Sequence, residues 1–432
     1  MKIFGDALRE VRHPLRTNPV STFIDIVTGL MFAFVLPEAL RRKARVRSRT
    51  PDECKLAFRI VFAAKHMQMD VSLLRYLQLS QLFFVRGHQT GMLENIALGH
   101  ITYAMNFAIC GVPFLPLKYV NRAVVLAVTS KNLEVEAYTK TLEATVRGFA
   151  GNLSQSLGDA ETALKGFARL GESYARQLMT HCVRHLCEYY GDAKRELKYA
   201  DEELRMAILS DDWEKTTWAL YGRADALARA GKFSEARCEM NKALEVLGDH
   251  CSIMARPIAV YTDSYVMLQS SEYEQAFERA VTAQKLTERC LGLFVMTSKS
   301  YPLSVEAGLG PNWHDPEVHA EIRGDKVRMR TIAWVLWKCL GIGALFLVAR
   351  AHSLRVRGRH AFVVGKHRKA IRLMERSIAT AEKQGSPYEL ARALLDRSLI
   401  NPETAVADRE KGQSLLQELH SVLPEAEQQA FT

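Results

Sequence analysis

Four side chains able to ligate a soft metal or move a proton fall within seven residues: His181, Cys182, His185 and Cys187. The two histidines stand four apart, so on a helix they stack on one face, a spacing that zinc sites use. Cys182, however, projects about 100° around a helix from His181, and no second ligand pair is evident. The residue types therefore favour polar groove positions over ligands, and neither a metal nor a cofactor is expected. Other chemistry lacks its minimum equipment. The chain has no GxxxxGK[ST] loop to cradle phosphates, no HExxH, no GxSxG and no kinase catalytic set. Gly308-Leu309-Gly310 and Gly341-Ile342-Gly343 lack a third glycine and a preceding strand. No catalytic residue is expected, and the chain reads as non-enzymatic.

What must position these residues is a series of helix pairs. Trp213–Gly248 predicts one helix to about Ala230 and a second from about Phe233 to Leu247, with Gly231 between them. Glycine suits a helix end that turns left-handed. Ala224, Ala236 and Ala243 let the pair approach closely, and Leu227, Phe233, Met240 and Leu244 fill the space between. This is the tetratricopeptide pattern. One pair cannot bury its own apolar face, so neighbours must follow. Turn signals at Gly158, Gly191, Gly231, Ser271 and Gly365 supply them, with steps of 33 (158 to 191), 40 (191 to 231) and 40 (231 to 271). The expected fold is all-α, a right-handed superhelical solenoid of antiparallel helix pairs.

The first helix of each such pair lines the concave face. Counting back two, three, six, ten and thirteen residues from each turn predicts which side chains face it. Gly191 gives Tyr189, Glu188, His185, His181 and Leu178. Gly231 gives Arg229, Ala228, Asp225, Tyr221 and Trp218. Ser271 gives Gln269, Leu268, Tyr265, Tyr261 and Ile258. Gly365 gives Val363, Phe362, Arg359, Arg355 and His352. The partner-binding groove is thus expected at Trp218, Tyr221, Asp225, Arg229, Tyr261, Tyr265, Gln269, His352, Arg355 and Arg359. Aromatics and arginines are the usual anchors of such interfaces; the competing reading packs half of them against neighbouring repeats.

A net charge of +10 points to acidic partners. The basic run Arg350–Arg372 has only Phe362 interleaved, where nucleic-acid stacking wants several aromatics. An acidic protein or peptide is favoured over nucleic acid. Eight cysteines without a CxxC read as reduced thiols of a cytoplasmic protein. Val20–Leu36 is apolar, carries Asp25 and precedes the basic run Arg41–Arg47. It reads as a capping or partner-docking helix, with attachment at the inner membrane face as the alternative. Arg330–Arg350 is equally apolar, but Lys338 at its centre favours a buried helix over a span. The expected divisions are 1–53, an N-terminal basic and apolar segment; 54–142, degenerate helical repeats; 143–296, clear repeats; 297–330, an inserted loop or hinge marked by Pro302, Gly308, Gly310, Pro311 and Pro316; and 331–432, C-terminal repeats and a cap. Gly87, Gly111 and Pro116 are expected to break helices, and Asp70 and Thr90 to cap them.

The stretches Leu73–Ser80, Gly191–Leu204, Leu220–Leu247 and Gly365–Ala381 give the chain a resemblance to a known family. It resembles the C-terminal repeat arm of bacterial signal-transduction ATPases and kinases of the maltose-regulator type. The ATPase and kinase parts are missing, so the resemblance implies no catalysis. It implies an arm that senses a ligand or partner protein. The expected function is a non-catalytic scaffold or regulatory subunit. Three rivals remain: a small-molecule sensor with a pocket near 297–330, a membrane-associated assembly factor anchored by Val20–Leu36, and an enzyme built on His181 and His185.

Overall fold

A helix of about five turns followed by two or three linking residues makes a module that recurs along the chain. In the computed structural model, residues 18–34, 52–53, 56–61, 73–111, 116–168, 174–250, 252, 254–289 and 295–431 are described. The helices are α1 (Pro19–Phe34), α2 (Leu73–Thr90), α3 (Leu93–Ile109), α4 (Pro116–Ser130), α5 (Leu133–Phe149), α6 (Leu153–Ala168) and α7 (Tyr174–Tyr190). They continue with α8 (Ala193–Leu209), α9 (Trp213–Arg229), α10 (Phe233–Leu247), α11 (Ala255–Gln269), α12 (Tyr273–Arg289) and α13 (Ser300–Leu309). The last are α14 (His319–Gly324), α15 (Lys326–Leu345), α16 (Arg350–Val363), α17 (His367–Gln384), α18 (Pro387–Ile400), α19 (Ala405–Glu418) and α20 (Glu425–Gln428). The chain is an all-α solenoid in which helices pack mainly against their sequence neighbours.

The turns set the register. Backbone φ is positive at Gly91, Gly111, Lys131 and Gly151, then at Gly191, Asp211 and Gly231, in steps of 20 residues within each run (91 to 111, 111 to 131, and onward). The full repeat is therefore 40 residues throughout, from Gly111 through Gly151, Gly191 and Gly231 to Ser271. This corrects the first turn expected from sequence. Gly158 lies inside α6, with open space around it; the turn is at Gly151. Helix starts are fixed by short polar side chains that accept the orphan backbone N–H groups. Asp192 accepts from Arg195 N at 2.9 Å, Asp212 from Lys215 N at 3.1 Å and Asn132 from Val135 N at 3.2 Å. Thr90 instead closes α2, its hydroxyl donating to Gly87 O at 2.7 Å. Gly87 is no break: a Cβ there would lie 2.6 Å from Asn95 O, so the glycine lets α3 approach. Asp70 and Arg41–Arg47 lie outside the described residues.

Two further segments depart from expectation. Residues 300–309 are not loop but the buried helix α13. Pro302 sits in its first turn, where a missing N–H is no loss, and Gly308 makes room for Phe277 and Ile332. The irregular chain shrinks to 310–318. The apolar stretch of α15 buries one face only, through Ile332, Val335, Cys339 and Ile342, and leaves Trp334 and Trp337 exposed. At the other end, α1 lies against α2, and Asp25 accepts a 2.8 Å hydrogen bond from Gln78. Among the described residues no helix is long and apolar enough to cross a membrane.

The C-terminal segment then crosses the turn edge of the middle repeats. Ala193 N donates to Leu419 O at 3.1 Å, and Ser421 Oγ to Gly191 O at 2.7 Å. Val422 N donates to Arg229 O at 2.8 Å, and Ala426 N to Ser271 Oγ at 2.8 Å. Ser271 thus explains itself: a residue with φ of +64° would ordinarily be glycine, but its hydroxyl holds the segment.

Candidate functional site

The inner helices α7, α9, α11, α13, α16 and α18 converge on one axis, and their polar side chains meet there. Charge taken out of water must be paired and hydrogen-bonded, and the axis is organised accordingly in three tiers.

The first tier joins α7 to α8. His181 Nδ1 lies 2.7 Å from Glu203 Oε1, and Arg184 Nε donates to Glu203 Oε2 at 2.9 Å. His185 Nδ1 is 2.7 Å from Glu188 Oε2, whose other oxygen takes Lys299 Nζ at 3.0 Å. Trp218 stacks on His181 with centroids 4.4 Å apart, and Arg184 lies over the Tyr221 ring. Burial lowers His181, and burial with Arg184 alongside lowers His185 to about 3, so both imidazoles are neutral at pH 7. Burial pushes the Cys182 thiol up to about 12, and Cys187 well up too, which leaves them inert as nucleophiles. Among the described residues no group of three His, Cys, Asp or Glu side chains is arranged to hold a metal.

The second tier holds Arg229 between acids and rings. It pairs with Asp225, approaches Glu196 Oε2 at 3.5 Å, and lies over the Tyr265 and Tyr388 rings at 5.2 and 4.8 Å. The third tier is the densest. Glu306 of α13 accepts from Arg355 Nη2 at 2.8 Å and from Arg392, with His352 Nε2 at 3.0 Å. Arg359 grips Asp396 through two 2.7 Å bonds and reaches Glu427 Oε1 at 2.8 Å. Burial alone would raise Glu306, but Arg355 and Arg392 outweigh it and hold the carboxyl well below the usual range.

Nine of the ten residues expected to line the groove lie in the tiers, as a closed interior rather than an open furrow, and Gln269 is buried. Arg229, Tyr261, Tyr265, His352 and Arg355 line a cavity of about 30 Å³. Trp218 and Tyr221 belong to the first tier and Asp225 to the second; Gln269 and Arg359 are fully enclosed. Counting back from turns overlooked Arg184, Lys299, Glu306, Tyr388, Arg392, Asp396 and Glu427. Glu306 stands four residues before Gly310, whose φ of +75° ends α13 but which the sequence places in a loop rather than at a repeat turn. Arg392 and Asp396 are four apart on α18, a spacing that places both on one face.

The tiers are not fully satisfied. Trp218 Nε1, Tyr221 OH and both side-chain amide atoms of Gln269 are buried without any hydrogen-bond partner. A buried unpaired polar group costs about 1–3 kcal/mol. In the same tiers both carboxylate oxygens of Glu196 and the Nε atoms of Arg229 and Arg392 also lack a hydrogen bond. The larger hollow of about 690 Å³ between α5 and α6 offers less: Glu136–Lys140 and Glu143–Arg147 pair with each other along its wall.

No family model matches the chain, nor does any curated protein. Solved structures do, and they define the class: a tetratricopeptide-like helical-repeat protein. The crystal structure of a Rap protein complexed with competence and sporulation factor superposes with a TM-score of 0.63 at 12% identity, covering 86% of this chain and 99% of that one. At that identity the likeness is one of fold. The crystal structure of aspartyl phosphate phosphatase F from Bacillus subtilis aligns at a TM-score of 0.41 and 12% identity, over 95% of this chain and 97% of that one, too distant to carry an argument.

Proposed function

We propose that the chain is a non-catalytic regulator or scaffold whose axial interior opens to take a peptide or an extended segment of a partner protein. The observation that carries this reading is the set of unpartnered polar atoms on Trp218, Tyr221 and Gln269. An extended backbone presents N–H and C=O groups at regular intervals, the donors and acceptors this interior lacks. The neighbouring fold crystallised with competence and sporulation factor supports the same use of the solenoid. The acid–base groups of the axis are paired with one another, which supports binding over turnover. The three arginines around Glu306, Asp396 and Glu427 favour an acidic segment, which would take over contacts that Glu427 now makes. The resemblance to repeat arms of signal-transduction ATPases and kinases adds that such binding would regulate another protein in trans.

The test removes the unpaired atoms without changing shape. Tyr221→Phe with Gln269→Leu is expected to leave the protein folded and no less stable, because deleting an unsatisfied buried group is not a loss. Capture from native cells, compared with wild type by mass spectrometry, should lose the stoichiometric partner. Unchanged capture by the double variant would remove the axial interior from consideration.

A further inference from the structure

The outer helix α17 meets water with charge, whereas most of the exposed face of α15 is apolar. On α17 the exposed positions include Arg368, Lys369, Arg372, Glu375 and Arg376. On α15 the corresponding face carries Val327, Trp334, Trp337, Leu340 and Leu345. Trp334 is 56% exposed, Trp337 65% and Leu340 49%, and the two indoles stack on each other at 5.3 Å. Beside Trp337 and Leu340 lies a hollow of about 370 Å³, floored by Tyr301 and Ile342. An outward apolar face of this size, on a helix whose other face is already committed to the core, is built to meet something.

The surrounding charge limits what that is. Lys326 and Arg330 at the start of α15, and Arg350 just beyond its end, are exposed and have no ion-pair partner among the described residues. Arg357 of α16 lies beside Cys339 of α15 and beside Arg376 of α17. Burial first, and then Arg376, disfavours its charge. Lys366 and Lys369 crowd His360 in the same way and, after burial, lower it to about 4. The acids of the neighbourhood include Glu288, which holds Lys338, Glu274 and Asp325, which hold Arg328, and the exposed Glu317, Glu321 and Glu375.

We propose that the Trp334–Trp337 face of α15, with Lys326, Arg330 and Arg350 at its ends and the basic face of α17 beyond, is a docking surface for an anionic lipid bilayer. Indole rings prefer the headgroup level, where the ring is dry and its N–H is wet. Lys338 lies against the Trp334 ring, 4.8 Å from its centroid, with its stem along the apolar face. An apolar stripe beside unpaired cations is the pattern of a helix that lies in the membrane plane, and one such anchor is reversible. Spanning is excluded by the buried face. A second copy is disfavoured, because a two-fold contact through this face would set its like charges opposite each other. The proposal is independent of the axial site, and it places membrane contact on α15 rather than on Val20–Leu36.

Full-length protein is mixed with phosphatidylcholine vesicles with and without phosphatidylglycerol and followed by flotation. Wild type is expected to float with the phosphatidylglycerol vesicles only, and less at high salt. Trp334→Ser with Trp337→Ser, both exposed, keeps the helical spectrum and is expected to lose flotation. Arg372→Gln and Arg376→Gln are each expected to weaken it roughly fivefold. Folded wild type that floats with neither vesicle overturns the proposal, as does flotation undiminished in the double tryptophan variant. A concentration-dependent dimer abolished by that variant, without flotation, overturns it in favour of self-association; retention on an acidic protein without flotation does so in favour of that partner.

Discussion

Glu196 shows how much a single enclosed carboxyl decides. Its nearest cation, Arg229, is shared with Asp225, and neither of its oxygens has a hydrogen bond. Burial first, and then Asp225, raises its pKa well above the ordinary value. The unfolded chain releases this proton near pH 4.3, about the ordinary value for glutamate, while the folded chain keeps it. The native state therefore binds more protons above that point, and the group costs increasing stability as pH rises from about 4.3 toward its folded value. Glu196→Gln removes the titration at nearly constant shape. Its stability relative to wild type, measured by urea unfolding, is expected to be flat below about pH 4 and to grow toward pH 7. A difference that stays constant with pH would mean Glu196 is ionised in the fold. Residue identity at the axis was legible wherever a turn glycine gave a ruler, as for Trp218, Tyr221 and Arg229. Enclosure was not legible, because nothing local marks that α18 and α20 come back to cover these side chains.

At the scale of elements, the turns carry the register and one of them carries a docking contact as well. Gly191 has φ of +88°, and a Cβ there would stand 2.2 Å from Tyr388 Cβ, so α18 itself would have to move. Gly231 has φ of +78° but meets only Val422 Cγ2 at 3.3 Å. Gly231→Ala is expected to lose mainly the ~1–3 kcal/mol of backbone strain. Gly191→Ala is expected to lose more, with the C-terminal helices loosened, as read by denaturant midpoint and by hydrogen exchange in α18. Equal losses would show that α18 yields freely. The helices were largely legible because small and large residues alternate at helical spacing; α9 and α10 start where expected. Gly158 misled because Gly-Asp-Ala-Glu is also what an exposed helical turn looks like. Residues 300–309 misled because a proline in a first turn reads like a break. α15 misled because an apolar helix reads as buried, and only its surroundings show that one face stays open.

Taken whole, the molecule is a repeat array that does not behave as an open one. The strap from Leu419 to Ala426 ties turns of three successive repeats, and Glu427 enters the third tier. Repeat arrays ordinarily fold by adding neighbours and unfold by fraying from an end. Here the pairing of Ser421 with Gly191 spans 230 residues of sequence and that of Ala426 with Ser271 spans 155. Such contacts form only after long loops close, a cost met before any contact repays it. The closed array is therefore expected to fold slowly and to unfold in one steep transition. Removal of residues 419–431 should turn that transition into a shallow, stepwise one beginning at the C-terminal repeats, visible as a fall in urea m-value. The strap converts a string of nearly independent modules into a single cooperative unit. The timing of assembly follows: the middle repeats can form early, but their shared edge is completed only when the last stretch of chain arrives.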